Sequence, residues 1–216
     1  MYGGTWQDGG QTHWEDRYDG TRPEELSWFE ARPDLSLDLI TDRVGPEAGV
    51  IDIGGGASRL ADCLLARGYV DVSVLDISTT ALANAQERMG GQAAQVAWIA
   101  ADITAWTPPR RYDLWHDRAV FHFLTDAGGQ RAYLTAMAEA LRPGGHAIVM
   151  SFAEDGPESC SGLPVRRYAP EEMAETVADL VPGAFRPDGA GRFTHVTPTG
   201  AEQRFQYSLF RREPSG

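Results

Sequence analysis

The sequence predicts an α/β fold with an open, mostly parallel β-sheet and helices on both of its faces. Three observations support this prediction. Short segments rich in Val and Ile alternate with amphipathic helical segments over residues 46–152, which is the pattern of consecutive βα units. A glycine-rich turn joins the first strand of this region to its helix. Two alternating runs later in the chain predict a terminal hairpin, and therefore a last strand that is antiparallel.

The successive elements have recognisable start and stop signals. Gly68 is placed to end the first of the amphipathic helices in a left-handed conformation. The segment Thr197-Pro198-Thr199-Gly200 is a turn between the two runs of the hairpin. We expect the first ten, glycine-rich residues to be mobile and helices to follow near 12–19, 24–28 and 36–44. The predicted strands are 50–53, 72–75, 96–100, 112–115, 146–152, 192–196 and 203–210, and the later helices are 58–67, 80–89, 119–123, 130–141 and 170–180.

The turn after the first predicted strand is the most informative segment. The strand ends in Asp52-Ile53 and is followed directly by Gly54, Gly55 and Gly56. Backbone without side chains lets a ligand approach closely, and the N–H groups of the next helix point at its polar atoms. Dinucleotides and S-adenosylmethionine are both bound at such turns. Arg59 stands where the dinucleotide motif has a third glycine, and Asp52 suits an ammonium better than a pyrophosphate, so the turn predicts a sulfonium amino-acid nucleoside.

Two more acids follow the next two predicted strands. Asp76 lies twenty residues after Gly56, where a carboxylate accepts both hydroxyls of a ribose. The alternative interpretation is that Asp76 only caps the helix that follows. Asp102 ends the third strand in the same way. Because parallel strands end at one edge of a sheet, the three acids are expected to surround a single ligand.

Four segments, in this order, resemble motifs of the class I S-adenosylmethionine-dependent methyltransferases. They are VIDIGGGAS at 50–58, VLDIS at 74–78, AADI at 100–103 and LRPGG at 141–145. The resemblance implies a Rossmann-like sheet of seven strands in the order 3-2-1-4-5-7-6, within one domain over residues 1–216. Residues 1–45 would form a helical lid, 46–155 the cofactor-binding core, and 156–216 a substrate-side loop, helix and hairpin. The cofactor contacts that it implies in this core are Asp52, Gly54, Gly55, Gly56, Ser58, Asp76, Ile77, Asp102 and Ile103.

Polar side chains are concentrated where the fourth predicted strand ends. His116, Asp117, Arg118 and His122 fall within seven residues. Methyl transfer mainly requires alignment of the nucleophile with the methyl group and exclusion of water, and a general base helps only a protonated nucleophile. We expect His116 and Asp117 to be catalytic, Asp117 also to contact the cofactor, and His122 to contact the substrate. Alternatively, Asp117 pairs with Arg118 or a helix N-terminus and both histidines make structural hydrogen bonds.

Aromatic residues near the start of the chain provide a second group of candidates. Trp14 and Tyr18 are four residues apart and share one face of a helix. This spacing and the stretch Asp117-Arg118-Ala119 resemble the thiopurine, trans-aconitate and tellurite methyltransferase-like branch, which implies a helix that covers the cofactor. Trp14, Arg17 and Tyr18 would then bind the cofactor, with Arg17 at its carboxylate. Tyr18 or Trp28 would close over the methyl group, Tyr18 as a catalytic residue and Trp28 as a substrate contact. Alternatively, these aromatic residues only hold the helix against the sheet.

The loop after the fifth predicted strand reaches the same edge of the sheet. Arg166 and Arg167 are candidates for binding an anionic substrate there. Cys160 lies in the same loop, and nothing in the sequence shows that it is reactive. The five histidines form no motif with a cysteine that has the spacing of metal ligands, so we predict no metal.

Composition restricts the partners and the compartment. The net charge is −12 with a pI near 4.8, which disfavours nucleic acid because phosphate binding relies on clustered Lys and Arg. No apolar run approaches the roughly 20 residues that span a bilayer, and the first residues lack the pattern of a signal peptide. The two cysteines, Cys63 and Cys160, fit a reducing cytoplasm. We expect a cytoplasmic monomer or homodimer that binds a small-molecule substrate.

The leading hypothesis is methyl transfer from S-adenosyl-L-methionine to a sulfur, oxygen or nitrogen atom of a small molecule, with S-adenosyl-L-homocysteine as product. A protein lysine N-methyltransferase, an NAD-dependent oxidoreductase and a non-catalytic cofactor-binding module are the alternatives. The sequence leaves the acceptor, its nucleophilic atom and the use of a general base open.

Overall fold

A seven-stranded sheet forms the centre of the computed structural model, which describes the backbone of residues 6–214 and the side chains of 10–214. The strand order is β3-β2-β1-β4-β5-β7-β6. Strands β1 to β5 run parallel, and β7 pairs antiparallel with both β5 and β6. The strands are β1 Gly49–Ile53, β2 Asp71–Asp76, β3 Val96–Ala100, β4 Tyr112–Arg118, β5 Leu141–Phe152, β6 Phe185–Val196 and β7 Glu202–Arg212.

This topology confirms the predicted fold class. The structure adds a separate two-residue ladder between Ser159–Cys160 and Leu163–Pro164, which the sequence did not predict. When the strands of the main sheet alone are numbered, their order agrees with the expected 3-2-1-4-5-7-6.

Within residues 6–214, six α-helices connect or precede the strands, and several of them begin or end at residues that stabilise a helix terminus. The Ser78 hydroxyl accepts a hydrogen bond from the Ala81 amide at the start of α4, and Asp126 does the same for α5. Gly68, which follows the C-cap residue Arg67 of α3, has φ +86°, as predicted. The helices are α1 Trp6–Tyr18, α2 Asp34–Thr41, α3 Leu60–Ala66, α4 Thr79–Met89, α5 Ala127–Ala140 and α6 Pro170–Leu180, with 3-10 turns at Pro23–Glu25, Gly90–Gln95 and Phe121–Phe123.

The boundaries differ from the sequence prediction in several places. The helices predicted at 24–28 and 119–123 are 3-10 turns, and strand β5 begins at Leu141 rather than at 146. Helix α1 begins at Trp6, within the glycine-rich segment that was expected to be mobile, and residues 1–5 lie outside the described part. Strand β4 continues to Arg118, because its polar residues are paired inside the protein. Strand β6 begins at Phe185, since it pairs with β7 along its whole length despite an irregularity between Pro187 and Gly189.

The two faces of the sheet carry separate hydrophobic cores. Alternate residues of each strand point to opposite faces, so that Val50 packs with α2, α3 and α4 while Ile51 packs with α5 and α6. Helices therefore cover both faces, as predicted. Within residues 6–214, no helix is long and apolar enough to cross a membrane.

Candidate active site

A cleft opens at the carboxyl ends of the parallel strands, the edge at which open α/β sheets bind ligands. We call it the main cleft. Residues that follow β1, β2, β3 and β4 form its floor, and residues of α1 and of the loops after β4 and β5 form its other walls. Its lining includes Trp14, Tyr18, Trp28, Ile53, Gly54, Leu75, Asp76, Ile77, Ala101, Asp102, Ile103, Thr104, Arg118, Ala119, Val120, Phe123, Leu124 and Cys160.

The glycine turn has no space for side chains. Gly54 has φ +66°, a conformation that favours glycine. A Cβ atom at Gly56 would lie 2.6 Å from both the Ala81 Cβ and an Asp76 carboxylate oxygen. One at Gly55 would lie 2.3 Å from Asp52 Oδ2. The turn therefore brings bare backbone to the cleft and lets two acidic side chains pack directly against it.

Asp76 stands at the end of β2 in the wall of the main cleft. Its Oδ2 accepts a hydrogen bond from the Gly56 amide at 3.0 Å and its Oδ1 accepts one from the Ser78 amide at 2.8 Å. These bonds fix the carboxylate and leave further acceptor capacity on each oxygen. Burial raises the pKa of Asp76 to about 6, so the group is ionised at neutral pH.

Asp102 lies further along the same wall. Its Oδ1 accepts hydrogen bonds from the Thr104 amide at 2.8 Å and the Thr104 hydroxyl at 2.7 Å. Ile77 and Ile103 line the cleft beside it. A carboxylate edge next to two branched apolar side chains suits a flat heterocycle that also donates hydrogen bonds.

A second cavity adjoins the main cleft and shares Tyr18, Trp28 and Arg118 with it. Asp52, Gly55, Ser58 and His116 line this second cavity rather than the main cleft. Asp52 and His116 face each other because their strands, β1 and β4, pair in register at these residues.

The two ring nitrogens of His116 are both engaged. Nδ1 lies 2.6 Å from Asp52 Oδ1, and Nε2 lies 2.9 Å from the hydroxyl of Ser36 in α2. All three side chains are buried. His116 therefore orients Asp52, and no ring nitrogen is left to take a proton from an acceptor.

Arg118 lies where the two cavities meet. Its guanidinium donates to the Trp28 carbonyl at 2.9 Å and pairs with the Glu30 carboxylate at 3.1 Å. His195 of β6 lies 3.3 Å from the same guanidinium and 2.8 Å from the Ser27 carbonyl. The segment around Trp28 is thus attached to β4 and to the hairpin.

Three aromatic side chains, Trp14 and Tyr18 of α1 and Trp28, form what we call the aromatic roof. Trp14 meets Trp28 and Phe123 edge to face, with ring centroids 5.9 Å and 5.1 Å apart. Tyr18 lines both cavities. Burial, with a smaller contribution from the nearby Asp76 carboxylate, raises the pKa of Tyr18 well above its usual value, so its hydroxyl stays protonated.

Asp117 does not line either cavity. Its buried carboxylate accepts hydrogen bonds from the amides of Val120 and Phe121 at 2.8 Å and 3.0 Å, and from the Tyr133 hydroxyl at 2.5 Å. Burial raises its pKa to about 6. This geometry agrees with the alternative that Asp117 caps the turn after β4, and its catalytic, cofactor-facing role stays a prediction.

Five other predicted contacts also lie outside the lining of both cavities, namely Gly56 and the side chains of Arg17, His122, Arg166 and Arg167. Arg17 lies over the Trp28 ring, 5.8 Å from its centroid. His122 is fully buried beside Phe152, and burial lowers its pKa to about 3. Arg166 pairs with Glu172 and Arg167 pairs with Glu158. Local partners thus hold Arg166 and Arg167, and contact of these four side chains with a bound ligand stays a prediction.

Sequence reasoning missed residues whose partners are distant in the chain. Ser36 was seen only as part of a helix, and its bond to His116 spans 80 residues. Arg118 was weighed only as a partner of Asp117. The sequence offered one indication that Arg118 reaches the site, because the last residue of a central parallel strand lies at the ligand-binding edge of the sheet. Among the described residues, no group of three or more His, Cys, Asp or Glu side chains is arranged to hold a metal ion.

The comparisons with known proteins place this geometry in a wider context. Residues 50–145 match a family model described as a methyltransferase domain. No curated protein matches the sequence. A structure reported for the conversion of a disulfide bond into a thioacetal group in echinomycin biosynthesis has a TM-score of 0.73 and 23% identity, covering 94% of this chain and 93% of that chain.

Two further structures have the same fold. The 1,6-didemethyltoxoflavin-N1-methyltransferase of Burkholderia thailandensis, determined with S-adenosylhomocysteine, has a TM-score of 0.68 and 20% identity over 96% of this chain and 87% of that chain. An S-adenosylmethionine-dependent methyltransferase of Anabaena variabilis has a TM-score of 0.75 and 14% identity over 97% and 96% of the two chains. The chain therefore has the fold of these methyltransferases, and its residues 50–145 match a methyltransferase domain.

Proposed function

We propose that the protein transfers a methyl group from S-adenosyl-L-methionine to a sulfur, nitrogen or oxygen atom of a small molecule. One observation carries the proposal. Gly54, Asp76 and Asp102 line a single cleft at the carboxyl edge of the sheet, and Asp52 and Gly55 line the cavity beside it. These are the groups that a ribose, a purine and an amino-acid ammonium require.

The residues present fit this cofactor, which supplies a methyl group on a positively charged sulfonium. Asp76 has acceptor capacity for two ribose hydroxyls beyond its bonds to Gly56 and Ser78. Asp102 and its apolar neighbours suit the purine, and Asp52, oriented by His116, suits the ammonium. We propose that Arg118, rather than Arg17, binds the amino-acid carboxylate, because Arg118 lines both cavities and Arg17 lines neither.

The acceptor end of the main cleft is mainly apolar. The aromatic roof covers it, and Phe123 and Cys160 lie beside it. Such walls exclude water, and a site that also aligns its reactants gains most of its rate from their orientation. An apolar site beneath an aromatic roof favours a small molecule over a lysine of a folded protein.

The described residues that line the two cavities offer the acceptor no free general base. His116 is engaged on both nitrogens, and burial raises the pKa of the Cys160 thiol as well as that of Tyr18. Asp52, Asp76 and Asp102 are assigned to the cofactor, and Glu30 pairs with Arg118 and His195. We therefore propose that the acceptor provides an unprotonated lone pair itself, as a thiolate or a neutral amine does.

Calorimetric titration with S-adenosylhomocysteine tests the cofactor assignment, and absence of binding would refute it. Incubation of a lysate with methyl-labelled S-adenosylmethionine then tests the acceptor class. Label in small molecules is the expected result, whereas a labelled protein band would indicate the lysine alternative. Binding without turnover across thiols, amines, phenols and acids would indicate a non-catalytic module, and protection from thermal unfolding by NADH alone would indicate an oxidoreductase. A cytoplasmic monomer or homodimer with no nucleic-acid partner remains part of the proposal.

A further inference from the structure

Helix α1 is attached to the cofactor side of the main cleft through one carboxylate. Glu15 lies next to Trp14, and its two oxygens receive four hydrogen bonds from the start of α4. Oε1 accepts from the Thr79 amide at 2.7 Å and the Thr79 hydroxyl at 2.8 Å. Oε2 accepts from the Ser78 hydroxyl at 2.8 Å and the Thr80 amide at 3.0 Å.

This carboxylate completes the N-terminus of α4, where amide groups lack partners within the helix and negative charge is favoured. Burial opposes ionisation of Glu15, but hydrogen bonds from Thr80, Thr79 and Ser78 outweigh it and lower its pKa to about 2. The contact is therefore charged over the whole pH range in which the protein is expected to work.

The bonded segment adjoins the proposed ribose site. Ser78 donates its amide to Asp76 Oδ1 and its hydroxyl to Glu15. On the other side of Glu15, Trp14 and Tyr18 of the same helix belong to the aromatic roof. One network of hydrogen bonds thus connects the proposed ribose carboxylate to the helix that covers the cleft.

We propose that Glu15 is a positioning residue that holds α1 over the bound cofactor and so controls its release. The proposal rests on the proposed function for the identity of the ligand. Loss of the Glu15 bonds frees α1, and with it two of the three residues of the aromatic roof. The proposed cofactor then leaves faster, although none of the groups assigned to its binding has changed.

Substitution Glu15→Gln tests this role, with Asp16→Asn as the matched control, because Asp16 is the exposed neighbouring acid on the same helix. Stopped-flow measurement of S-adenosylhomocysteine release should show a rate about tenfold or more above wild type for Glu15→Gln, since bonds to an ionised acceptor are the strong ones. Asp16→Asn should release it at the wild-type rate. Equal rates for the two variants would overturn the proposal.

Two further measurements separate this role from a general loss of stability. Thr79→Val removes one exposed hydroxyl partner of Glu15, and we expect a smaller rise in release rate that adds little to Glu15→Gln in the double variant. Hydrogen exchange of the α1 amides without ligand should accelerate in Glu15→Gln and not in Asp16→Asn. This last comparison tests the attachment of α1 even if S-adenosylhomocysteine fails to bind, and unchanged exchange would count against the attachment itself.

Discussion

The assignment of Asp76 to the ribose gives the sharpest quantitative prediction. Asp76→Asn keeps the size of the side chain but replaces one of two acceptor oxygens by an NH2 group. That group would face either the Gly56 amide or the Ser78 amide, both of which are donors, and only one oxygen would remain for the ribose. A hydrogen bond to a charged acceptor is worth about 1.5–3 kcal/mol, so the Kd of S-adenosylhomocysteine should rise by roughly 10- to 150-fold.

Calorimetry at pH 7.5 measures this change, with Asp38→Asn on the exposed face of α2 as control. The pH dependence adds a second requirement. Because burial raises the pKa of Asp76 to about 6, the carboxylate gains a proton as the pH falls through 6, and affinity should fall with it. Asp76→Asn should remove that dependence. An Asn variant that binds within about twofold of wild type, or a wild-type affinity that is flat from pH 8 to 5, would refute the assignment.

Three further outcomes are expected. Gly56→Ala places a methyl group 2.6 Å from Ala81 Cβ. It should lower the free energy of unfolding by about 1–3 kcal/mol and should also weaken S-adenosylhomocysteine binding. Gly91→Ala, whose methyl group meets nothing within 4 Å, should change neither quantity. Asp117→Asn should lower the free energy of unfolding by about 1–3 kcal/mol in denaturant titrations but weaken affinity less than Asp76→Asn; the reverse ranking would restore a ligand-facing Asp117. Finally, the pH–rate profile should inflect at the pKa of each acceptor, and an inflection shared by acceptors of different pKa would reveal an enzymic base.

The parts of the molecule that the sequence predicted are those encoded by neighbouring residues. The glycine turn and the strand-terminal Asp76 and Asp102 are local patterns, and the structure brings them together because parallel strands end at one edge. The start of α1 was missed for a related reason. Gly9 and Gly10 each cost a helix about 1 kcal/mol, and packing of Trp14 and Tyr18 over the cleft offsets that cost only in the folded protein.

The pairings of the polar residues were not predictable, because they join distant parts of the chain. Glu15 reaches the start of α4 across 64 residues, and His116 reaches Asp52 across 64. Spacing identified His116 as a candidate but not the neighbours that occupy both of its nitrogens. For Arg166 and Arg167 the sequence predicted the correct edge of the sheet but not the contacts, because both side chains pair with nearby glutamates.

The attachment of the Trp28 segment to the hairpin has a consequence for how the protein assembles. His195 bonds to Ser27 and Glu30, which precede it by 168 and 165 residues. Closing contacts between such remote residues is entropically expensive until the intervening strands have collapsed. We therefore expect the Trp28 segment to close over the cavities late in folding. This closure depends on His195 of β6, which lies outside the segment that matches the methyltransferase domain.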